Sequence, residues 1–209
     1  MKAKFLKLND PRLRKIAKEI PQNQLNSADI KNVITTMLKV AYGEQKDNNK
    51  PIMVGLAAPQ IGISKRIILV DVKADGKGKV GDLQVYINPK IVWQSKGKGE
   101  WYEGCYSTGR ICGIVSRPTS IKIQAFTITP HTWANRPRRC QAKLMEEKWT
   151  GYVARIFQHE IDHLNGKLFM DHIKNPDNLH WVEENEFPLY RNKQAWRQWP
   201  KKYKNPLLK

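Results

Sequence analysis

Two histidines four residues apart, with a glutamate directly after the first, carry the most specific chemistry in this sequence. They lie in Gln158-His159-Glu160-Ile161-Asp162-His163. On a helix, positions i and i+4 leave the same face about one turn apart, so the imidazoles of His159 and His163 can grip one metal ion. The Glu160 carboxylate then lies beside the metal, where a bound water sits, and can take that water's proton and pass it on. The chain has five histidines in all, which weighs against a chance pairing at this spacing. A catalytic metal also needs a third protein ligand and an open position. Cys105 is the leading candidate, because it follows Glu103-Gly104, where a turn can present a thiolate. Cys112 and Cys140 stay open as alternatives. A nucleophilic Cys105 is the competing reading, but it leaves the histidine pair unexplained.

These residues need elements to hold them. Val153, Ile156, Phe157, Ile161 and Leu164 recur mostly at spacings of three and four, and Asn165-Gly166 supplies a stop, so a buried central helix follows Gly151. A second, amphipathic helix carries Ile30, Val33, Ile34, Met37, Leu38 and Ala41, is capped by Asn26 or Ser27 and ends at Gly43. Strands are expected over 66–71, over 83–93 with a bend at Asn88-Pro89, and over 143–149. A strand pair broken at Arg117-Pro118 is expected over 111–126. Residues 4–20 read as an extended arm and turn, 73–79 as an exposed turn, and 129–141 as a basic surface loop containing Arg136, Arg138 and Arg139. In the small-residue stretch 51–62, Gln60 is the one strongly hydrogen-bonding side chain, and the glycines allow close backbone approach. Two helices among several short strands predict an α+β fold, largely antiparallel, packed around the metal-binding helix.

Composition sets the outer bounds. The 209 residues are 40% hydrophobic and 27% charged, which suits one soluble globular core. No apolar stretch approaches the ~20 residues of a membrane span. The N-terminus lacks the apolar region of a signal peptide, so a cytoplasmic protein is expected. Three cysteines make no even disulfide framework, consistent with a reducing compartment. Thirty-seven Lys and Arg against 19 Asp and Glu leave a net charge of +18, which points to a polyanionic neighbour such as RNA. Beyond Glu186 all charged side chains are cations: Arg191, Lys193, Arg197, Lys201, Lys202, Lys204 and Lys209, interleaved with Trp196, Trp199 and Tyr203. That mixture suits RNA or a ribosomal surface, and a solvated tail is the plain alternative. The expected division is a catalytic domain over 1–173 and a basic extension over 174–209.

Three stretches together resemble the peptide deformylase family, whose motifs look like G-x-G-L-A-A-x-Q, E-G-C-L-S and H-E-x-D-H. They stand here as Met53-Val-Gly-Leu-Ala-Ala-Pro-Gln60, Glu103-Gly-Cys-Tyr-Ser107 and His159-Glu-Ile-Asp-His163. The resemblance implies a deformylase-like fold and a metal-dependent hydrolase that removes formate from N-formylmethionine of nascent polypeptides. It implies that Cys105, His159 and His163 hold the metal, often ferrous iron in this family, with zinc, nickel or cobalt as substitutes. Glu160 would activate the water and then protonate the leaving amine. The Gln60 amide and the Tyr106 backbone N–H would stabilise the oxyanion, and Val54, Gly55, Trp101, Tyr152 and Ile156 would line the methionine pocket. Three departures carry expectations of their own. Met53 in place of glycine is expected to narrow the cleft, Tyr106 in place of leucine to set a bulky ring beside the metal, and Thr108-Gly109 to loosen the segment after the cysteine. The alternatives are a zincin-type metallopeptidase, which H-E-x-x-H alone permits, and a ribosome- or RNA-binding protein with a structural metal site.

Overall fold

The run Ile67-Ile-Leu-Val-Asp71 shows no polar alternation because both of its faces are covered. Ile67 and Leu69 point to a core cluster shared with the first helix, and Ile68 and Val70 to a cluster shared with the second. The computed structural model describes residues 4–46, 52–128 and 141–186. Cys140, the arginines at 136–139 and the cationic run beyond Glu186 lie outside the described residues.

Among the described residues there are two helices, α1 (Ala28–Gln45) and α2 (Gly151–Leu164). Eight strands accompany them: β1 (Gly55–Ala57), β2 (Ile67–Asp71), β3 (Leu83–Gln94), β4 (Lys98–Gly104), β5 (Ile111–Pro118), β6 (Ser120–Ile128), β7 (Lys143–Thr150) and β8 (Leu179–Trp181). A five-stranded sheet has the order β1-β2-β3-β6-β7 and a three-stranded sheet the order β4-β5-β8. Every named strand pair is antiparallel, as the α+β reading expects. No helix is long and apolar enough to cross a membrane.

The two helices cover opposite faces of the large sheet. Ser27 caps α1 by accepting from the Ile30 N–H at 3.3 Å. The helix then buries Ile30, Val33, Ile34, Met37, Leu38 and Ala41, and runs two residues past the expected stop at Gly43. On the other face α2 sets Ala154, Ile156, Phe157, Ile161 and Leu164 against Ala57, Ile68, Val70, Tyr86, Ile121 and Ile123. It ends at Asn165, and Gly166 follows at φ 68, where an added Cβ would lie 2.4 Å from the Arg14 carbonyl oxygen. Both conditions exclude a side chain there. α2 is therefore a central helix wedged between the two sheets, with contacts to β1, β2 and β5.

The expected strand pair over 111–126 is two strands of different sheets. β5 pairs with β4 and β8, whereas β6 pairs with β3 and β7, and the chain changes sheet at Thr119. The expected bend at Asn88-Pro89 is a bulge: the β3–β6 register shifts between Ile87 and Lys90, and Asn88 sits at φ 51. Its side chain pins the N-terminal arm by bonding both the N–H (3.0 Å) and the carbonyl (2.8 Å) of Ile20. Past Ile173, where the basic extension was expected to begin, the chain still adds β8 to the small sheet.

Candidate metal centre and active site

Cys105 leaves the end of β4, and His159 and His163 leave one face of α2. The ligating atoms of these three residues all lie within 4.8 Å of one another. The turn that presents the cysteine follows it, where Glu103-Gly104 had been expected to form it. Glu103 and Gly104 finish β4, and the Thr108 N–H donates to the Cys105 carbonyl at 3.0 Å. The expected looseness after the cysteine is absent. The Thr108 hydroxyl sits 2.9 Å from the carbonyls of both Cys105 and Ile111, and Gly109 takes the positive φ of 62 that closes the turn.

The donor set suits a divalent metal. Burial opposes ionisation of the Cys105 thiol, but His163 and His159 overcome it and hold its pKa well below the ordinary cysteine value. The Cys105 Sγ lies 3.3 Å from the His163 Nε2. The His159 Nδ1–H donates to the Glu103 Oε2 at 2.9 Å, which fixes the tautomer and leaves Nε2 for a metal. A cysteine and two histidines are three protein donors, the count of a catalytic site, which keeps its fourth position for water or substrate. One observation points to what belongs there: the Glu160 Oε2 is buried without a hydrogen-bond partner. A buried carboxylate oxygen is costly in that state unless it faces a ligand, a metal or water.

Two other side chains named from the sequence meet this group. The Gln60 Oε1 accepts the Ala57 N–H at 2.7 Å, which orients the amide, and its Nε2 donates to the Cys105 Sγ at 3.2 Å. Gly55 lies against α2 so closely that an added Cβ would stand 2.4 Å from the Glu160 Oε1 and 2.8 Å from Ile156. Further along α2, Tyr152 shares the face of Ile156 and Glu160, and its ring meets Trp101 with centroids 6.0 Å apart. Val54 packs against the same core cluster as Tyr152. Gly55 thus touches Ile156 and Glu160, Tyr152 meets Trp101, and Val54 and Tyr152 pack on the cluster that contains Ile156.

Two sequence expectations fail here. Met53 does not narrow the cleft; it is 2% exposed and buried in the core cluster under α1. The Tyr106 ring packs on Phe5, centroids 5.0 Å apart, and against that same cluster, so it is not spread beside the metal.

Sequence reasoning also missed the clamp behind His159. Glu103 accepts two bonds from Arg117, at 2.6 and 2.9 Å, and one from Arg155 at 2.7 Å. Arg117 continues to Asp162 at 2.7 Å, and Asp162 to His172 at 2.8 Å. Burial alone would raise the Glu103 pKa, but Arg117 and His159 hold it well below the usual carboxylate range. Glu160 has no such clamp: burial pushes its pKa up to about 7 against the pull of His159 and His163. The second omission is Gly76. At φ 72 its backbone lies where a Cβ would be 2.9 Å from Tyr152 and 3.1 Å from Trp101, so the turn, exposed as expected at Lys73, Asp75, Lys77 and Lys79, sets this one glycine against the aromatic pair.

The sequence profile of the polypeptide deformylase family matches residues 2–179. This chain belongs to the polypeptide deformylase family. A peptide deformylase of Pelotomaculum thermopropionicum is 38% identical over 172 residues, spanning 82% of this chain and 92% of the relative. One from Rhizobium meliloti is 35% identical over 166 residues, 79% of this chain and 82% of the relative. Among solved structures, the Met-Ala-Ser-bound class I type b peptide deformylase from Acinetobacter baumannii matches with a TM-score of 0.69 at 30% identity, covering 83% of this chain and 99% of that one. A peptide deformylase from Legionella pneumophila matches with a TM-score of 0.64 at 32% identity, covering 95% of this chain and 93% of that one. The family is an enzyme class of metal-dependent hydrolases in protein biosynthesis, and a Cys-His-His group able to hold a metal ion is present here. These comparisons support neither the zincin-type peptidase nor a purely RNA-binding protein.

Proposed function

We propose that this chain removes the formyl group from the N-formylmethionine of nascent polypeptides, in the cytoplasm where such chains emerge. Cys105, His159 and His163 hold one divalent ion, ferrous iron in the cell, with zinc, nickel or cobalt able to substitute in a thiolate–imidazole site. The bound ion supplies Lewis acidity toward the formyl carbonyl and the attacking water.

The protein side chains do the rest. Glu160 takes a proton from the water whose oxygen attacks the formyl carbon. One N–H of the Gln60 amide is engaged with Cys105, and its second N–H, with the Tyr106 backbone N–H, donates to the oxyanion that develops. The carbon–nitrogen bond then breaks, Glu160 returns its proton to the leaving amine, and formate departs. Val54, Gly55, Trp101, Tyr152 and Ile156 receive the methionine side chain, an unbranched apolar guest for an apolar wall. The observation that carries the reading is the unpartnered, buried Glu160 Oε2 beside the Cys105–His159–His163 group. The Acinetobacter relative's bound Met-Ala-Ser is consistent with it.

Protein purified without oxygen and loaded with iron is expected to release formate from formyl-Met-Ala-Ser. Metal-bound protein that releases none overturns the proposal. The cationic and aromatic residues beyond Glu186 are proposed as a separate basic extension that attaches to ribosomal RNA. Removing 187–209 should weaken salt-sensitive co-sedimentation with ribosomes and leave turnover of a short peptide intact. Unchanged co-sedimentation contradicts that role.

A further inference from the structure

The extended arm before Asp10 touches both turns that carry the oxyanion donors. The Leu6 N–H donates to the Gln60 carbonyl at 2.8 Å, and the Leu6 side chain is buried beside Gly62, the positive-φ residue that ends the Gln60 turn. One residue earlier, Phe5 lays its ring on Tyr106. Two residues later, Leu8 packs into the cluster containing Cys105, Ile111, Val115 and Phe169. The arm returns to the Gln60 turn through Arg12, whose Nη1 lies 3.3 Å from where a Gly62 Cβ would stand. Asp10 holds that guanidinium at 2.9 and 2.6 Å.

We infer that residues Phe5 to Leu8 are a positioning clamp for the oxyanion donors, setting the distance between the Gln60 amide and the Tyr106 N–H. This rests on the roles proposed for those two groups. The turns belong to segments some 45 residues apart, Gln60 to Cys105, and they meet directly through the 3.2 Å Gln60–Cys105 contact. Tyr106 also packs against the core cluster that holds Ala58, but a side-chain contact to a sulfur and an apolar contact still leave the two turns some freedom to tilt. Fixing the Gln60 backbone from Leu6 and the Tyr106 ring from Phe5 removes that freedom. Donors must match where charge develops, so a small displacement costs rate while leaving the metal ligands in place. The arm also explains Tyr106: its aromatic ring gives Phe5 a flat partner.

The test compares Phe5→Ala and Phe5→Leu, each in the wild-type and in a Gln60→Ala background, with metal content measured for all. Phe5→Ala is expected to lower kcat about tenfold with KM within about twofold, and Phe5→Leu to recover most of the loss. With Gln60 already truncated, Phe5→Ala should cost clearly less than it does alone, because the spacing between the Gln60 amide and the Tyr106 N–H no longer matters and only the Tyr106 N–H is left to misplace. In parallel, 15N spectra of the zinc-loaded proteins should show Phe5→Ala moving the Gln60 side-chain amide and the Tyr106 N–H. Unchanged kcat, an equal loss in both backgrounds, or unmoved amide signals overturns the clamp. If the wild-type protein itself releases no formate, the deformylase reading fails, and the amide signals alone then decide the clamp.

Discussion

Glu103 and Glu160 both lie beside His159, both are buried, and the protein treats them in opposite ways. Glu103 is surrounded: Arg117, Arg155 and the His159 Nδ1–H occupy its two oxygens. It stays ionised, cannot take a proton in the working range, and serves to orient a histidine. Glu160 is left with one unpartnered oxygen and a pKa near 7. The sequence gives both the same side chain, so the difference comes entirely from what the fold brings to each. Under the proposed function, two carboxylates pushed apart in this way divide the labour between holding a metal ligand and handling a proton.

The largest expected effect comes from removing the proton handler. Glu160→Gln should cut formate release by about 10²–10⁴-fold with metal content unchanged, measured by turnover and metal analysis on the same sample. Glu103→Gln should do the reverse. It leaves buried arginines under-compensated, which costs about 3–5 kcal/mol in denaturant unfolding. It also frees His159, lowering metal affinity about 10–100-fold by competition with a chelator, with turnover per bound metal reduced far less. Equal loss of metal in both variants would erase the distinction.

Gly55→Ala sharpens the comparison from the side of the backbone. Its methyl group would press on the Glu160 Oε1 and displace the carboxylate. Turnover should fall about 10²-fold, with metal content and unfolding midpoint close to wild type. The smallest effect is in pH dependence. In metal-free protein the raised Glu160 pKa means the folded state binds the extra proton between about 7 and the ordinary value of 4.5. The Glu160 contribution to stability therefore rises as pH falls through that window. The Glu103 contribution runs oppositely, complete above its ordinary value of 4.5 and lost only as pH falls through its lowered folded value. Unfolding curves of Glu160→Gln should lack the first component and keep the second, since Cys105, Glu103, His159 and His163 are present in both proteins.

What could be read from the sequence was local in origin. α2, its metal-binding face and its stop at Asn165-Gly166 follow from spacing within one helix. Gln60 and Cys105 were found because their chemistry is rare in their surroundings. The arginine clamp was hidden because Arg117 and Arg155 meet Glu103 across 14 and 52 residues of chain. Neither shows a local pattern. Thr108 misled because its hydroxyl does in three dimensions what looked like missing rigidity in one. Met53 misled because, two residues before β1, the irregular chain sets its side chain into the core under α1. The sheet change at Thr119 and the return of β8 are tertiary choices that alternation along one strand cannot encode.

The contrast between the two carboxylates can be measured directly by following glutamate side-chain carboxyl carbons in 13C-labelled, metal-free protein across pH, with Glu103→Gln and Glu160→Gln assigning the signals. The Glu160 signal is expected to titrate near 7, while the Glu103 signal stays at its ionised position down past 4.5. A Glu160 that titrates like an exposed carboxylate, or a Glu103 that takes its proton first, would contradict the assignment of one as proton handler and the other as anchor.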